Sequence, residues 1–306
     1  MKKQKNQDIL NWFILFLLGF VWGSSFILMK IGAKVLDGFQ IAAIRNSVAG
    51  LSVLPIFIYY FRKYSKKTLL FFVVCALLGN GIPSILYGFS AKLIDSNING
   101  VINSLTPIFT LLFGIIIWKY QVSKWSILGT FVGFVGVFML FFNKEFHLDK
   151  YWHIFLPLVS TVMYGANTNL VKKYLSHLPS IQMLAGVFGV MSIPALVYLI
   201  FSNTLAQIDF QYFNLHFWEY SNNPTIQFHN AFLSIFLLGF MNSLLSSLLF
   251  YYFLKRTTVI FAAMTTYLIP ITSIFWGYID HEAIGWLHLL SLATILSGVA
   301  LVGRKK

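Results

Sequence analysis

The sequence predicts an all-α membrane protein whose ten transmembrane helices form two inverted five-helix repeats. Three observations lead to this fold class: an apolar composition, ten apolar segments of spanning length, and a sequence pattern that occurs twice. The chain of 306 residues is 58% hydrophobic and only 10% charged, whereas soluble domains carry about 25% charged residues. A soluble fold could not hide this much apolar surface from water.

Each of the ten segments is long enough to cross the hydrocarbon core of a bilayer as a helix. A helical span takes about 20 mainly apolar residues, because any other lipid-exposed backbone leaves its amide groups unpaired. The first segment follows a basic start, as in a signal peptide, but it exceeds the usual apolar region of about 7–15 residues. We therefore interpret it as a retained first helix. The segments are 9–29, 39–61, 68–89, 93–118, 125–142, 152–171, 179–201, 230–253, 257–279 and 283–303.

A motif in the first half of the chain recurs in the second half. Residues 22–25 (Trp-Gly-Ser-Ser) match residues 164–167 (Tyr-Gly-Ala-Asn) at a shift of 142, and Pro107 matches Pro270 at a shift of 163. The 21 additional residues enter in the polar stretch 202–229, which has no counterpart in the first half. Because each repeat has five segments, an odd number, the second repeat starts on the opposite side of the membrane and has the inverted orientation. Inverted repeats are a signature of alternating-access transporters. The predicted domains are 9–142 and 152–303, with an external insertion at about 202–229.

The distribution of positive charge sets the predicted orientation. With the N-terminus in the cytoplasm, sixteen of the 22 Lys and Arg residues fall on the cytoplasmic side and five outside, as the positive-inside rule requires. Both termini are therefore expected in the cytoplasm, and the protein in the cell (inner or plasma) membrane. The insertion then lies outside, either as a cover over the outer rim or as part of gating or substrate capture. The basic residues form short clusters between apolar runs, which argues against a nucleic-acid partner.

Polar and aromatic side chains inside the apolar segments are the candidates for a substrate site. Arg45 is the one arginine within a segment, and cations at such depth are costly and usually functional. It either extends to the outer interface or faces a cavity, where it could hold a substrate carboxylate or phosphate. Trp22 and Tyr164 lie well inside their segments, which favours a pocket over simple packing. The predicted substrate-binding residues are Trp22, Ser25, Arg45, Tyr87, Asn99, Asn103, Tyr164, Asn167, Asn242 and Tyr267.

Prolines occupy matching positions in the fourth and ninth segments. Pro107 and Pro270 are predicted to kink their helices, each by removing a backbone hydrogen bond, and to act in gating. Paired breaks in the two repeats indicate a substrate cavity. Asn99, Asn103 and Thr106 follow at spacings of four and three residues, so they share one helix face. That face either lines the cavity or makes hydrogen bonds between helices.

Catalytic and metal-binding patterns are weak in this sequence. The acid–histidine cluster Asp280-His281-Glu282 is placed in a short external loop, and His288 does not have the spacing of a metal-binding HExxH helix. Cys75 is the only cysteine, so a cysteine metal site is excluded. We expect no enzymatic activity, no cofactor and no bound metal.

The chain resembles the EamA-like permeases of the drug/metabolite transporter superfamily. The resemblance rests on residues 22–26, on the pattern Ala-Ala-Ile-Arg-Asn-Ser-Val-Ala-Gly at 42–50, on both proline blocks, and on Glu282 followed by Gly285 and Gly298. It implies ten helices, cytoplasmic termini and a central cavity shared by the repeats. It also implies transport, often export, of amino acids, nucleobases, related compounds or drugs.

The predicted function is therefore transport of a small organic metabolite, as an exporter, by alternating access between the two repeats. The expected partners are this metabolite and the lipid bilayer, and a homodimer is left open. Two alternatives remain from the sequence: a non-transporting ligand-binding or sensor protein, and, with less support, an intramembrane enzyme. The sensor would bind its ligand without flux, and the enzyme would need a convergent nucleophile or metal set.

Cysteine labelling tests the predicted orientation. In a Cys75→Ser background, single cysteines at positions 66 and 216 should react with a membrane-impermeant maleimide from opposite faces, because their loops are predicted on opposite sides. The Cys75→Ser parent, which has no cysteine, provides the unlabelled control. Reaction of both positions from one face would contradict the orientation.

Overall fold

The fold is helical. The structure is a computed structural model that describes residues 2–94, 96–141, 153–208, 221–272, 275 and 285–304, and these contain no β-strand. The middle of the insertion (209–220) and the Asp280-His281-Glu282 cluster lie outside the described residues.

The first half of the chain starts with two long helices, and the third apolar segment contains a π-helical stretch. In chain order, its elements are α1 (Lys2–Ala33), α2 (Gly38–Phe61), α3 (Lys66–Ala76), the π-helical segment π1 (Leu77–Gly81), α4 (Ile82–Leu93), α5 (Ser96–Asn103), α6 (Thr106–Ile116) and α7 (Lys124–Phe141). A capping box begins α2: Gln40 N donates to Asp37 Oδ1 at 2.8 Å, and Asp37 N donates to Gln40 Oε1 at 2.9 Å. These bonds satisfy amides that the first helical turn leaves unpaired.

The second half contains the same kinds of element in a similar order. Its elements are α8 (Phe155–Leu170), π2 (Val171–Leu175), α9 (Ser180–Phe201), a short 3₁₀ turn (Leu205–Gln207), α10 (Pro224–Leu237), π3 (Leu238–Ser246), α11 (Ser247–Arg256), α12 (Val259–Ala263), a second 3₁₀ turn (Met264–Leu268), a helical stretch over 269–272, and α13 (Trp286–Val302).

The outer faces of the helices are apolar. The exposed fraction of the side chain is 62% for Phe13, 65% for Ile58 and 63% for Ile200. An apolar surface of this kind is suited to lipid rather than to water. Together with the lengths of the helices, this surface makes the chain a multi-pass membrane protein. The six helical stretches long and apolar enough to span are Gln7–Ala33, Gly38–Phe61, Lys66–Leu93, Ile98–Ile116, Ser180–Phe201 and Pro224–Arg256, and shorter apolar helices accompany them.

The two most extensive helix contacts join elements that correspond to each other in the two halves. The helix α2 packs along α9, and α7 packs along α13. Gly50 of α2 lies against Ser192 and the carbonyl of Phe188 in α9, and the shift of 142 makes Gly50 and Ser192 counterparts. In the second contact, between α7 and α13, Gly129 and Gly133 of α7 lie against Gly298 of α13. Small residues at these contacts let the backbones approach closely.

The fourth and ninth segments are both interrupted just before their prolines. After α5 has ended, α6 begins one residue before Pro107. In the second half, α-helical structure resumes one residue before Pro270, after the 3₁₀ turn. The hydroxyl of Ser104 donates to the carbonyl oxygen of Thr266 at 2.9 Å. A side chain at the first interruption therefore satisfies a carbonyl freed at the second, within the protein, where lipid could not.

The segments π1 and π3 widen the third and eighth apolar segments at corresponding places. A shift of 163 carries π1 onto 240–244, inside π3. A π-helical turn accommodates an additional residue in the helix and is frequent at functional sites. Both segments supply residues to the cavity that is described below.

Gly298→Ala should destabilise the protein. A Cβ atom at this position would lie 2.6 Å from Gly129 O and against the backbone of Gly133, and such overpacking costs about 1–3 kcal/mol. The midpoint of thermal unfolding of the purified protein in detergent should fall. Gly114→Ala is the matched control, because its nearest neighbours would lie 3.3 Å away. Equal effects of the two alanines would contradict this account of the α7–α13 contact.

Candidate substrate cavity

A cavity lies between the two halves of the chain. The first half contributes residues of α1, α2, π1, α4, α5 and α6 to its wall. The second half contributes residues of α8, π3, α11, α12 and the 3₁₀ turn that follows α12.

Most of the predicted substrate-binding residues meet at this cavity. Eight of the ten line it, and Asn99 and Tyr267 do not. The residues that line it are Trp22, Ser25, Arg45, Tyr87, Asn103, Tyr164, Asn167 and Asn242.

Arg45 is buried, with an exposed fraction of 7%, and its side chain lines the cavity. Its Nε–H donates to Ser243 Oγ at 3.0 Å, and its Nη2 donates to Asn242 Oδ1 at 3.4 Å. These two nitrogens form one edge of the planar guanidinium. Among the described residues that line the cavity, Arg45 is the only formal charge, and there is no Asp or Glu.

A close contact between α2 and π3 allows this arrangement. A Cβ atom on Gly239 would lie only 3.0 Å from both Cα and O of Arg45, so the two backbones touch here. The side chain of Arg45 then reaches Asn242 and Ser243 one turn further along π3. The second half of the chain thus orients a cation that the first half carries.

Aromatic rings from both halves form an apolar wall. The Trp22 ring packs against Phe250 with centroids 5.2 Å apart, and its Nε1–H donates to Ser246 Oγ at 3.0 Å. The rings of Tyr87 and Tyr164 are nearly parallel, with centroids 6.0 Å apart and an interplanar angle of 13°. These rings supply aromatic and apolar surface to the wall of the cavity.

Amide side chains add hydrogen-bonding capacity to the wall. Asn103 Oδ1 accepts a hydrogen bond from Tyr87 OH at 3.2 Å. Asn167 is packed against Gly79, and its Oδ1 is buried without a hydrogen-bond partner in the described part of the chain.

Asn99 and Tyr267 are buried away from the cavity and link helices instead. Asn99 Oδ1 accepts from Ser90 Oγ at 2.5 Å. Tyr267 OH donates to the carbonyl of Thr130 in α7 at 2.7 Å, and its ring fills the space beside Gly133. The structure therefore does not bring these two predicted residues to the site, because each has a partner on a neighbouring helix.

Several lining residues were not among the predicted set. One signal was available in the repeat: the shift of 163 pairs Gly79 with Asn242 and Asn80 with Ser243, so that amides interrupt both equivalent apolar segments. The additional polar and aromatic residues at the cavity include Asn80, Thr106, Thr168, Ser247, Phe250, Tyr251 and Thr266.

Lys172 joins the end of α8 and π2 to the end of α11. Its ammonium group donates to the carbonyls of Leu254, Lys255 and Thr257 at 2.5, 3.3 and 2.8 Å. In return, Lys255 Nζ donates to the carbonyl of Leu178 at 2.7 Å. These bonds satisfy carbonyls that the end of a helix leaves free, and partial burial lowers the pKa of Lys172.

Within the described residues, no group of three or more His, Cys, Asp or Glu could hold a metal ion.

A helical membrane protein that encloses a polar cavity between two corresponding halves has the architecture of a membrane transporter. The model of the EamA-like transporter family matches residues 10–142 and again residues 151–304. The chain therefore belongs to the EamA-like transporter family.

Similar proteins agree with this membership. An uncharacterised transporter of Archaeoglobus fulgidus is 24% identical over 297 residues, which cover 97% of this chain and 99% of the relative. The uncharacterised transporter YcxC of Bacillus subtilis is 26% identical over 309 residues, covering 96% of this chain and 93% of the relative. A solved crystal structure with 14% identity shares the fold, with a TM-score of 0.64 over 94% of this chain and 97% of that chain.

Arg45→Met should leave the thermal stability of the empty protein unchanged or raise it. Arg45 is a buried cation without an acidic partner among the described residues, and such a cation is held against a desolvation cost of several kcal/mol, whereas Met fills a similar volume with apolar atoms. Tyr267→Phe should instead lower stability by about 1 kcal/mol, because Thr130 O loses its buried donor. Thermal unfolding in detergent measures both. A large loss of stability in Arg45→Met would show that Arg45 serves the fold rather than a ligand.

Proposed function

We propose that the protein is a carrier that exports a small organic metabolite across the cell membrane by alternating access between two inverted five-helix repeats. Ten spans and cytoplasmic termini are part of this proposal, and each predicted segment contains described helical residues. The observation that carries it is the cavity, which is bounded by corresponding segments of both halves and by the paired helix breaks. Carriers built from inverted repeats hold their substrates at such breaks.

The pattern of helix contacts supports a two-fold relation between the halves. The helix α1 contacts α10, π3 and α11, and its counterpart α8 contacts α3, π1 and α4. The contact of α2 with α10 is likewise matched by that of α9 with α3. Exchanging the first half for the second therefore reproduces these contacts, as a pseudo-two-fold axis requires.

The ends of α1 and α8 differ in a way that suits one state of a carrier. Lys172, beyond the end of α8, is half-buried and bonded to the end of α11. Its counterpart at a shift of 142, Lys30 in α1, is exposed. We attribute the Lys172 bonds to a state closed on the predicted cytoplasmic side, and we expect them to be broken in the inward-open state.

Accessibility of the cavity from both faces tests alternating access. In the Cys75→Ser background, Ser25→Cys should react with an impermeant maleimide added to either side, because each state opens the cavity to one compartment. Ser25 suits this test because its hydroxyl bonds within α1, to Trp22 O at 2.6 Å. Ser192→Cys is the matched control, since Ser192 is buried in the α2–α9 contact and its hydroxyl bonds to Gly189 O within α9. Reaction of Ser25→Cys from one face alone, in the presence and absence of substrates, would contradict the carrier.

Removing the Lys172 bonds should shift the balance between the two states. Each charge-assisted hydrogen bond contributes about 1.5–3 kcal/mol, so Lys172→Ala should raise cytoplasmic labelling of Ser25→Cys about tenfold or more. Lys173→Ala is the control, because Lys173 is the exposed neighbour. Equal labelling in the two variants would show that Lys172 does not hold the cytoplasmic end closed.

A further inference from the structure

We infer that the substrate is an organic monoanion, whose single carboxylate binds Arg45 and whose planar apolar body lies against the aromatic wall. This inference rests on the proposed carrier function and names the class of molecule that the cavity takes. It follows from the geometry of the guanidinium, from the charge balance of the cavity and from the rings that surround it.

The guanidinium is held so that one edge remains for a ligand. Ser243 and Asn242 accept from Nε and Nη2, which occupies the side-on edge. The end-on edge, formed by Nη1 and Nη2, has donors that can bind both oxygens of a carboxylate at once. A guanidinium already fixed in this way loses little side-chain entropy when it binds such a group.

The charge balance of the cavity selects a single negative charge. Arg45 is the only formal charge on the described lining residues, and a carboxylate would neutralise it. An amine or a zwitterion would bring an ammonium group to a wall without an acidic side chain, where an uncompensated charge costs several kcal/mol. A phosphate monoester carries about −1.5 to −2 at neutral pH, which leaves an excess of negative charge.

The body of the ligand is indicated by the aromatic residues. Trp22 with Phe250, and Tyr87 with Tyr164, present ring faces and edges from both halves of the chain. Packing of a planar ring on such groups contributes about 0.5–1.5 kcal/mol beyond the burial of its surface.

A set of probes that share the indole ring tests the inference by binding. We would measure the ligand-induced rise in the unfolding midpoint of the purified protein with indole-3-acetate, indole-3-acetamide, tryptamine, tryptophan and indoxyl phosphate. Indole-3-acetate should bind about tenfold to hundredfold more tightly than the neutral amide, because the charge-assisted pair is lost in the amide. Arg45→Gln should remove this preference, and Arg256→Gln, which alters an exposed arginine at the end of α11, should keep it.

Three results would overturn the inference. The first is equal or tighter binding of the amide, the amine, the zwitterion or the phosphate. The second is unchanged binding of indole-3-acetate by Arg45→Gln, and the third is the lack of any stabilisation by indole-3-acetate.

Flux in proteoliposomes separates this inference from the proposed function. Saturable movement of indole-3-acetate above that of protein-free liposomes, lost in Arg45→Gln, would support both. Tight and selective binding of indole-3-acetate without flux would support the monoanion site and contradict the carrier. Flux of tryptamine that is equal in the parent and in Arg45→Gln would support the carrier and overturn the monoanion site.

Discussion

The structure depends on one constraint: backbone amides and carbonyls within the hydrocarbon layer must find their partners inside the protein. Uninterrupted helices meet this constraint at the lipid-facing surface. Interruptions are tolerated only where other protein groups reach them, as at Ser104 and Thr266, where the two broken helices bond to each other. The same constraint therefore places the irregular backbone, and with it the polar cavity, between the two halves.

Residues whose position follows from the repeat or from charge could be predicted from the sequence. Trp22 and Tyr164 were identified because they start the repeated motif, and Arg45 because a cation in an apolar segment needs a polar environment. The position of the Tyr267 side chain could not be predicted in this way. Its ring lies beside Gly133 and its hydroxyl bonds to the carbonyl of Thr130, and both residues belong to α7, which is distant in the sequence. The π-helical segments leave no mark in composition, because packing between helices determines where a helix widens.

The two halves have diverged where the cavity meets α2 and α9. Arg45 of α2 lines the cavity, whereas Val187, its counterpart at a shift of 142, is buried in the apolar core. Ser104 and Tyr267 are counterparts at a shift of 163, and they also differ, because the first bonds to the opposite break and the second to α7. Corresponding positions of the two halves therefore present different side chains.

The lone charge of Arg45 has an electrical consequence. An empty cavity carries one positive charge, and each elementary charge that crosses a membrane potential of 100 mV changes in energy by about 2.3 kcal/mol. A bound carboxylate cancels that charge. In the proposed carrier, voltage would then bias the return of the unloaded protein and have little effect on the passage of the loaded protein. The membrane potential would drive the cycle through the step in which the protein returns empty.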